Sequence, residues 1–254
     1  MSTRDVTPIG APCWVDIFTT DTDKTKAFYG ELFGWTAEDA GEEFGGYITF
    51  SKKGVPVAGG MKNDGQSGTP DVWSVYLAVQ DAKATVDAAV AHGGQVVVPA
   101  MDVGDLGTMA VVTDDGGAVI GMWRPGTHKG FGLYDEPGTP SWFELHTRQY
   151  DKAVPFYRAV FAWDAHTMSD TPEFRYTTYG EGDTALAGVM DATAYLPEGV
   201  PSHWLVYFGV ADADAAVAKI AELGGSVLMP AADTPYGRLA QVADSTGAVF
   251  SIRG

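Results

Sequence analysis

A chain of 254 residues that is 45% hydrophobic and 12% aromatic can bury one large core or two ordinary ones, and a charged fraction of 19% excludes a charge-dominated disordered chain. A net charge of −17 argues against phosphate backbones and acidic headgroups as partners, and the single cysteine, Cys13, excludes an internal disulfide or a cysteine-based zinc cluster. No run of about 18 apolar residues occurs and MSTRDVTPIG contains no signal-peptide core, so the expectation is a cytoplasmic protein with no membrane and no nucleic acid as partner.

The first predicted strand is WVDIFTT, from Trp14. A helix follows, opened by Thr22 or Asp23 as N-cap with Ala27, Phe28 and Leu32 on one face, and then short strands around GGYITFS and PVAGGMK. From Val72 the order returns: strand VWSVYLAV, a helix from Asp81, a Gly93-Gly94 stop, and strands at QVVVPA, MAVVTD and AVIGMW. Each unit reads βαβββ. The Gly- and Pro-rich stretch PGTHKGFGLYDEPGTP reads as a linker, here residues 126–139, between an N-terminal domain, 1–125, and a C-terminal domain, 140–254.

Beyond the linker the first half is repeated. WVDIFTTDTDKTKAFYGELFGW from Trp14 matches WFELHTRQYDKAVPFYRAVFAW from Trp142, with Phe28-Tyr29 falling on Phe156-Tyr157 and Trp35 on Trp163. PDVWSVYLAVQDAKATV from Pro70 matches PSHWLVYFGVADADAAV from Pro201, and Asp114 through Ile120 match Asp244 through Phe250. The chain is thus a tandem duplication of four βαβββ modules. One module of about 60 residues hardly buries a stable core alone, so the modules are expected to pair.

Paired βαβββ modules with a Phe-Tyr first helix and a D-x-x-G-x-x-hydrophobic last strand resemble the vicinal oxygen chelate superfamily, which includes glyoxalase I, fosfomycin and bleomycin resistance proteins and extradiol dioxygenases. The tandem arrangement with PYGRLAQVADSTGAVF further resembles actinobacterial glyoxalase-like proteins often labelled hydroxylases. The resemblance implies an α+β fold in which the modules pair into two glyoxalase-type domains with curled mixed sheets. It also implies metal ligands on the first and last strands of each module, and these positions carry Trp14, Ser74, Gly121, Trp142, Leu205 and Ser251. A divalent metal needs several N, O or S donors converging on it, so no metal and no other cofactor is expected.

Alternation along the strands puts Trp14, Asp16 and Phe18 on one face, as it does Trp142, Glu144 and His146. His203, Leu205 and Tyr207 share the facing strand's inward side, where the first half has Val72, Ser74 and Tyr76. Glu144, His203, His146 and Tyr207 are therefore the candidate catalytic groups, an acid–base set able to move a proton near neutral pH. Trp142, Leu205, Arg238, Asp16, Trp14 and Tyr76 are the candidate substrate-binding residues, with Trp163 or Phe174 completing the wall and Arg238 reaching an anionic group. Because Asp16 and Glu144 recur at one place in both halves, a structural role as hydrogen-bond acceptors stands beside the chemical one.

Three functions follow as expectations. One is a metal-independent hydroxylase-, lyase- or isomerase-like enzyme on a small carbonyl-bearing or aromatic metabolite, in secondary metabolism or detoxification. The second is sequestration of a planar small molecule, and the third is a metalloenzyme with ligands moved to Asp16 or to Glu144, His146 and His203. Two domains in one chain can supply what smaller relatives obtain by dimerising, so a monomer or weak homodimer is expected.

Overall fold

The computed structural model describes residues 7–41, 44–66 and 68–254. The first half runs β1 (Pro12–Thr19), α1 (Thr22–Phe33), β2 (Thr36–Asp39), β3 (Ile48–Lys52), β4 (Val55–Lys62), β5 (Val72–Ala78), α2 (Ala82–Ala91), β6 (Gln95–Val103), β7 (Gly107–Thr113) and β8 (Val119–Pro125). The second half repeats it as β9 (Pro140–Thr147), α3 (Tyr150–Phe161), β10 (Ala165–Asp170), β11 (Arg175–Tyr179), β12 (Ala187–Asp191), β13 (His203–Gly209), α4 (Ala213–Glu222), β14 (Ser226–Thr234), β15 (Gly237–Ala243) and β16 (Val249–Arg253). The fold is α+β, with two eight-stranded mixed sheets ordered β2-β3-β4-β1-β5-β8-β7-β6 and β10-β11-β12-β9-β13-β16-β15-β14. The two modules of each half share one sheet through the antiparallel pairs β1–β5 and β9–β13, so pairing is within a half. Among the described residues no helix is long and apolar enough to cross a membrane.

Local chemistry sets the helix ends. The N-cap of α1 is Asp21, not Thr22 or Asp23; its carboxylate accepts from Lys24 N at 3.1 Å, leaving Thr22 as the first helical residue. Asp81 and Asp212 cap α2 and α4 in the same way. Where α1 ends on Gly34 in the left-handed region, α3 ends on Ala162 at φ 54°, a position that suits glycine.

The repeated Phe-Tyr and D-x-x-G motifs meet across the halves. Asp114 Oδ1 accepts from Gly116 N and Ala118 N, both at 2.8 Å, which closes the turn before β8, while its Oδ2 accepts from the Tyr157 hydroxyl of the other half at 3.2 Å. Asp244 does the same with Thr246 N, Ala248 N and Tyr29, the last at 3.0 Å. Each tyrosine oxygen also accepts an indole N–H, from Trp204 or from Trp73. Phe208 of the second half lies 5.2 Å from both Trp73 and Phe33 of the first, so the faces bearing Trp73 and Phe208 form the core between the halves. By strand alternation the opposite faces, carrying Asp16 and Glu144, point away from that core.

Candidate functional site

On the outer face of the first sheet, β1 and β5 set Trp14 beside Tyr76, Asp16 beside Ser74 and Phe18 beside Val72. Gly59 on β4 lies next to Asp16, and Gly121 on β8 next to Tyr76. The Tyr47 hydroxyl donates to Asp16 Oδ1, and its oxygen accepts from Trp14 Nε1 at 2.8 Å. A Cβ at Gly59 would collide with both the Tyr47 oxygen and the Asp16 carboxylate, so the missing side chain makes room for this contact. Burial pushes the Asp16 carboxyl up to about 6, against the lowering effect of hydrogen bonds from Tyr47, Tyr76 and Trp14. Burial, and the carboxylate beside them, hold the Tyr47 and Tyr76 phenols well above their ordinary range.

The second half builds the same cluster with different members. Register places His203 opposite His146, Leu205 opposite Glu144 and Tyr207 opposite Trp142, with Gly188 and Ser251 in the places of Gly59 and Gly121. Trp142 Nε1 donates to Tyr176 Oη at 3.1 Å, and the Tyr207 hydroxyl donates to Glu144 Oε2 at 3.3 Å. His146 Nε2 lies 3.7 Å from Glu144 Oε1 and is a buried nitrogen with no hydrogen-bond partner. The His146 and His203 rings are 5.6 Å apart, and His203 Nδ1 is held by the Pro201 carbonyl at 2.9 Å. Burial lowers the His203 pKa, partly countered by that carbonyl.

The two faces differ in access. Glu144, Leu205 and Tyr207 retain 6%, 2% and 9% of their surface, whereas Asp16, Ser74 and Tyr76 are only half-buried. The linker adds a further difference: His128 meets Trp14 edge-on at 4.4 Å, and Phe131 lies 5.7 Å from the same indole. Burial pushes the His128 pKa down to about 4. Depressions of about 260 and 200 Å³ lie elsewhere, the first lined by Val79, Thr85, Val160 and Phe161 and the second by Tyr150, Pro155 and Arg158; neither reaches Asp16 or Glu144.

The residues present do not fit a divalent metal. Trp14 and Trp142 offer no lone pair, Leu205 and Gly121 no donor, and the Tyr76 ring lies over Gly121 where a side chain would project. Glu144, His146 and His203 approach one another, but among the described residues no three His, Cys, Asp or Glu side chains converge as a metal site.

Arg238 is engaged by Asp214 and Asp233, each at 2.9 Å, and so is committed to a surface ion-pair network. Trp163 is buried and donates to Gly10 O at 2.8 Å, on the core side; Phe174 is the aromatic at the site, stacked on Tyr176 at 5.5 Å. Tyr47, Tyr176 and His128 are the members that sequence reasoning missed. The first two occupy matching places before and in the repeated strands GGYITF and FRYTTY, a signal in the repeat itself.

The family model for the Glyoxalase/Bleomycin resistance protein/Dioxygenase superfamily matches residues 13–122 and 139–252. A Mycobacterium bovis protein with the provisional name glyoxylase CFP32 is 41% identical over 248 residues, covering 96% of this chain and 94% of its own. The anthracycline biosynthesis protein DnrV of Streptomyces peucetius is 39% identical over 262 residues, covering 96% and 92%. Among solved structures, the 2,3-dioxygenase LapB from Pseudomonas sp. KL28 aligns with a TM-score of 0.68 at 12% identity, covering 98% of this chain and 93% of that one. The Mn(II)-bound glyoxalase from Novosphingobium aromaticivorans aligns at 0.66 and 14%, covering 96% and 81%; at such identities both speak to the fold alone.

Proposed function

Since the chain belongs to the Glyoxalase/Bleomycin resistance protein/Dioxygenase superfamily, we propose that it acts on a small carbonyl-bearing or aromatic metabolite by acid–base chemistry that uses no metal. The observation that carries this reading is the cluster at Glu144: a carboxylate between the Tyr207 hydroxyl and the unpartnered His146 nitrogen, in the superfamily's ligand-bearing region. Glu144 or His146 takes a proton from the substrate, and Tyr207, whose phenol stays protonated through neutral pH, hydrogen-bonds the oxygen on which charge develops. His203, oriented by Pro201, stands behind His146 as the second imidazole. Proton transfers of this kind enolise, isomerise, dehydrate or hydrate a carbonyl compound.

Trp142 and Leu205 wall the site, and relatives named for anthracycline biosynthesis support a secondary metabolite as its ligand. A net charge of −17 favours a ligand that is not a polyanion. In this reading the chain works in the cytoplasm as a monomer or weak homodimer. Sequestration of a planar molecule is the second reading, favoured by Phe174, which is partly exposed and stacks on Tyr176 beside the cluster. A screen of planar natural-product scaffolds and small dicarbonyls, read by tryptophan fluorescence and by product formation, separates the two. Turnover that falls at least about a hundredfold in Glu144→Gln supports catalysis. Binding without turnover supports sequestration, and turnover unaffected by Glu144→Gln contradicts the assignment.

A further inference from the structure

We propose that the first half holds a second proton-transfer site, separate from Glu144, in which Asp16 and Tyr47 receive a planar ligand bearing a weakly acidic hydroxyl conjugated with a carbonyl. The hydrogen bonds run in one direction. Trp14 Nε1 donates to the Tyr47 oxygen, so the Tyr47 proton is directed at Asp16 Oδ1 and the tyrosine acts as a fixed donor. Gly59 is the register partner of Asp16, and its lack of a side chain is what lets Tyr47 reach the carboxylate over β4. This arrangement is built by two strands, β1 and β4, and the segment before β3; the second half keeps the Trp142–Tyr176 contact over Gly188, but there Tyr207 rather than Tyr176 makes the bond to the carboxylate.

Access distinguishes it as well. Asp16, Ser74, Phe18, Val72 and Tyr76 each keep part of their surface, so a flat molecule can rest on this face with an edge against the carboxyl. Trp14 beside them is covered by His128 and Phe131 of the linker, which closes one end of the face. The titratable groups facing Asp16 are Tyr47, ahead of β3, and Tyr76, on β5; Gly59 and Ser74 on the flanking strands bring no charge.

A desolvated carboxyl that titrates near neutrality exchanges protons best with an acid of similar strength. A hydroxyl conjugated with a carbonyl is such an acid, whereas a simple alcohol is far too weak. In the step itself the ligand O–H proton passes to the Asp16 carboxylate. The electron pair stays on the ligand oxygen and delocalises into its carbonyl, and Tyr47 and Tyr76 keep their own protons because burial holds both phenols far above neutrality. Return of the proton to oxygen or to the conjugated carbon completes the exchange, with no oxidant or reductant needed.

Alizarin, a planar hydroxyquinone whose visible absorption changes when its hydroxyl ionises, is the probe. Titrated into the full chain near neutral pH, it should bind wild-type and Glu144→Gln protein alike. Asp16→Asn should bind it at least about tenfold more weakly, from loss of a charge-assisted hydrogen bond. Ser74→Phe, which fills the space opposite Asp16 without touching its carboxyl, should weaken binding to a similar degree. Wild-type protein that does not bind alizarin overturns the ligand class, and unchanged binding in both Asp16→Asn and Ser74→Phe overturns the site. Loss in Glu144→Gln alone moves the ligand to the second half, overturning this inference while leaving the Glu144 reading intact.

Discussion

At Asp16, burial outweighs donor hydrogen bonds and leaves a carboxyl that titrates at about 6 in the fold against 3.8 in the unfolded chain. The folded state therefore takes up this proton first as the pH falls. The group costs nothing below about 3.8, and the cost grows to its full value of roughly 3 kcal/mol as the pH rises through about 6. Asp16→Asn keeps an acceptor for Tyr47 and removes the charge. In urea titrations it should gain about 2 kcal/mol over wild type at neutral pH, some of the cost being screened by the partial exposure, and almost nothing near pH 4. His128 has the opposite sign: with a pKa of about 4 against 6.5, it stays neutral in the fold while the unfolded chain charges, so stability is lost as the pH falls from 6.5 to 4. His128→Phe should accordingly make the protein gain stability in that window. Wild-type and Asp16→Asn curves that run parallel across the range would mean the carboxyl is not desolvated.

The elements are held as two halves by a reciprocal clasp, in which the helix tyrosine of each half reaches the turn aspartate of the other. Asp114 is a carboxylate buried to 1% exposure whose pKa is raised by that burial and offset by the Ala118 and Gly116 amides and by Tyr157. Removing the tyrosine hydroxyl leaves a buried acceptor and an indole donor short of a partner at once. Tyr29→Phe and Tyr157→Phe should each cost about 1–3 kcal/mol in equilibrium unfolding. Because the aromatic core around Tyr29 and Phe208 spans both halves, wild type should unfold in one transition. Two separated transitions in the wild-type protein would contradict a shared core.

At the scale of the whole molecule, the duplication and the strand faces were legible because a period of two and a repeated sentence need no tertiary knowledge. Strand parity put Asp16, Ser74 and Tyr76 on one face and Glu144, Leu205 and Tyr207 on the other half's equivalent, as the registers have them. Tyr47 has a matching place in the repeat, but its contact with Asp16 was not legible, since its reach depends on a gap at Gly59 that only the pairing of β4 with β1 creates. His128 was hidden by a linker whose glycines and prolines suggest a spacer but whose His128 and Phe131 pack on Trp14. Arg238 looked free for an anion because the acids that claim it, Asp214 on α4 and Asp233 on β14, are brought to it only by the fold.

Both halves place a carboxylate with tyrosines and a tryptophan at and beside the positions that the family resemblance gives to metal donors, and the proposed chemistry runs on those groups alone. Metal dependence is the most direct measurement of this. Protein purified without chelator is dialysed, analysed for zinc, iron, nickel and manganese, treated with EDTA, and assayed for ligand-dependent quenching of tryptophan fluorescence and for turnover before and after each metal is returned. The expected result is metal well below one ion per chain, with binding and turnover unchanged by EDTA or by any added metal. Near-integral metal that survives dialysis, with function lost to EDTA and restored by that ion, would contradict it.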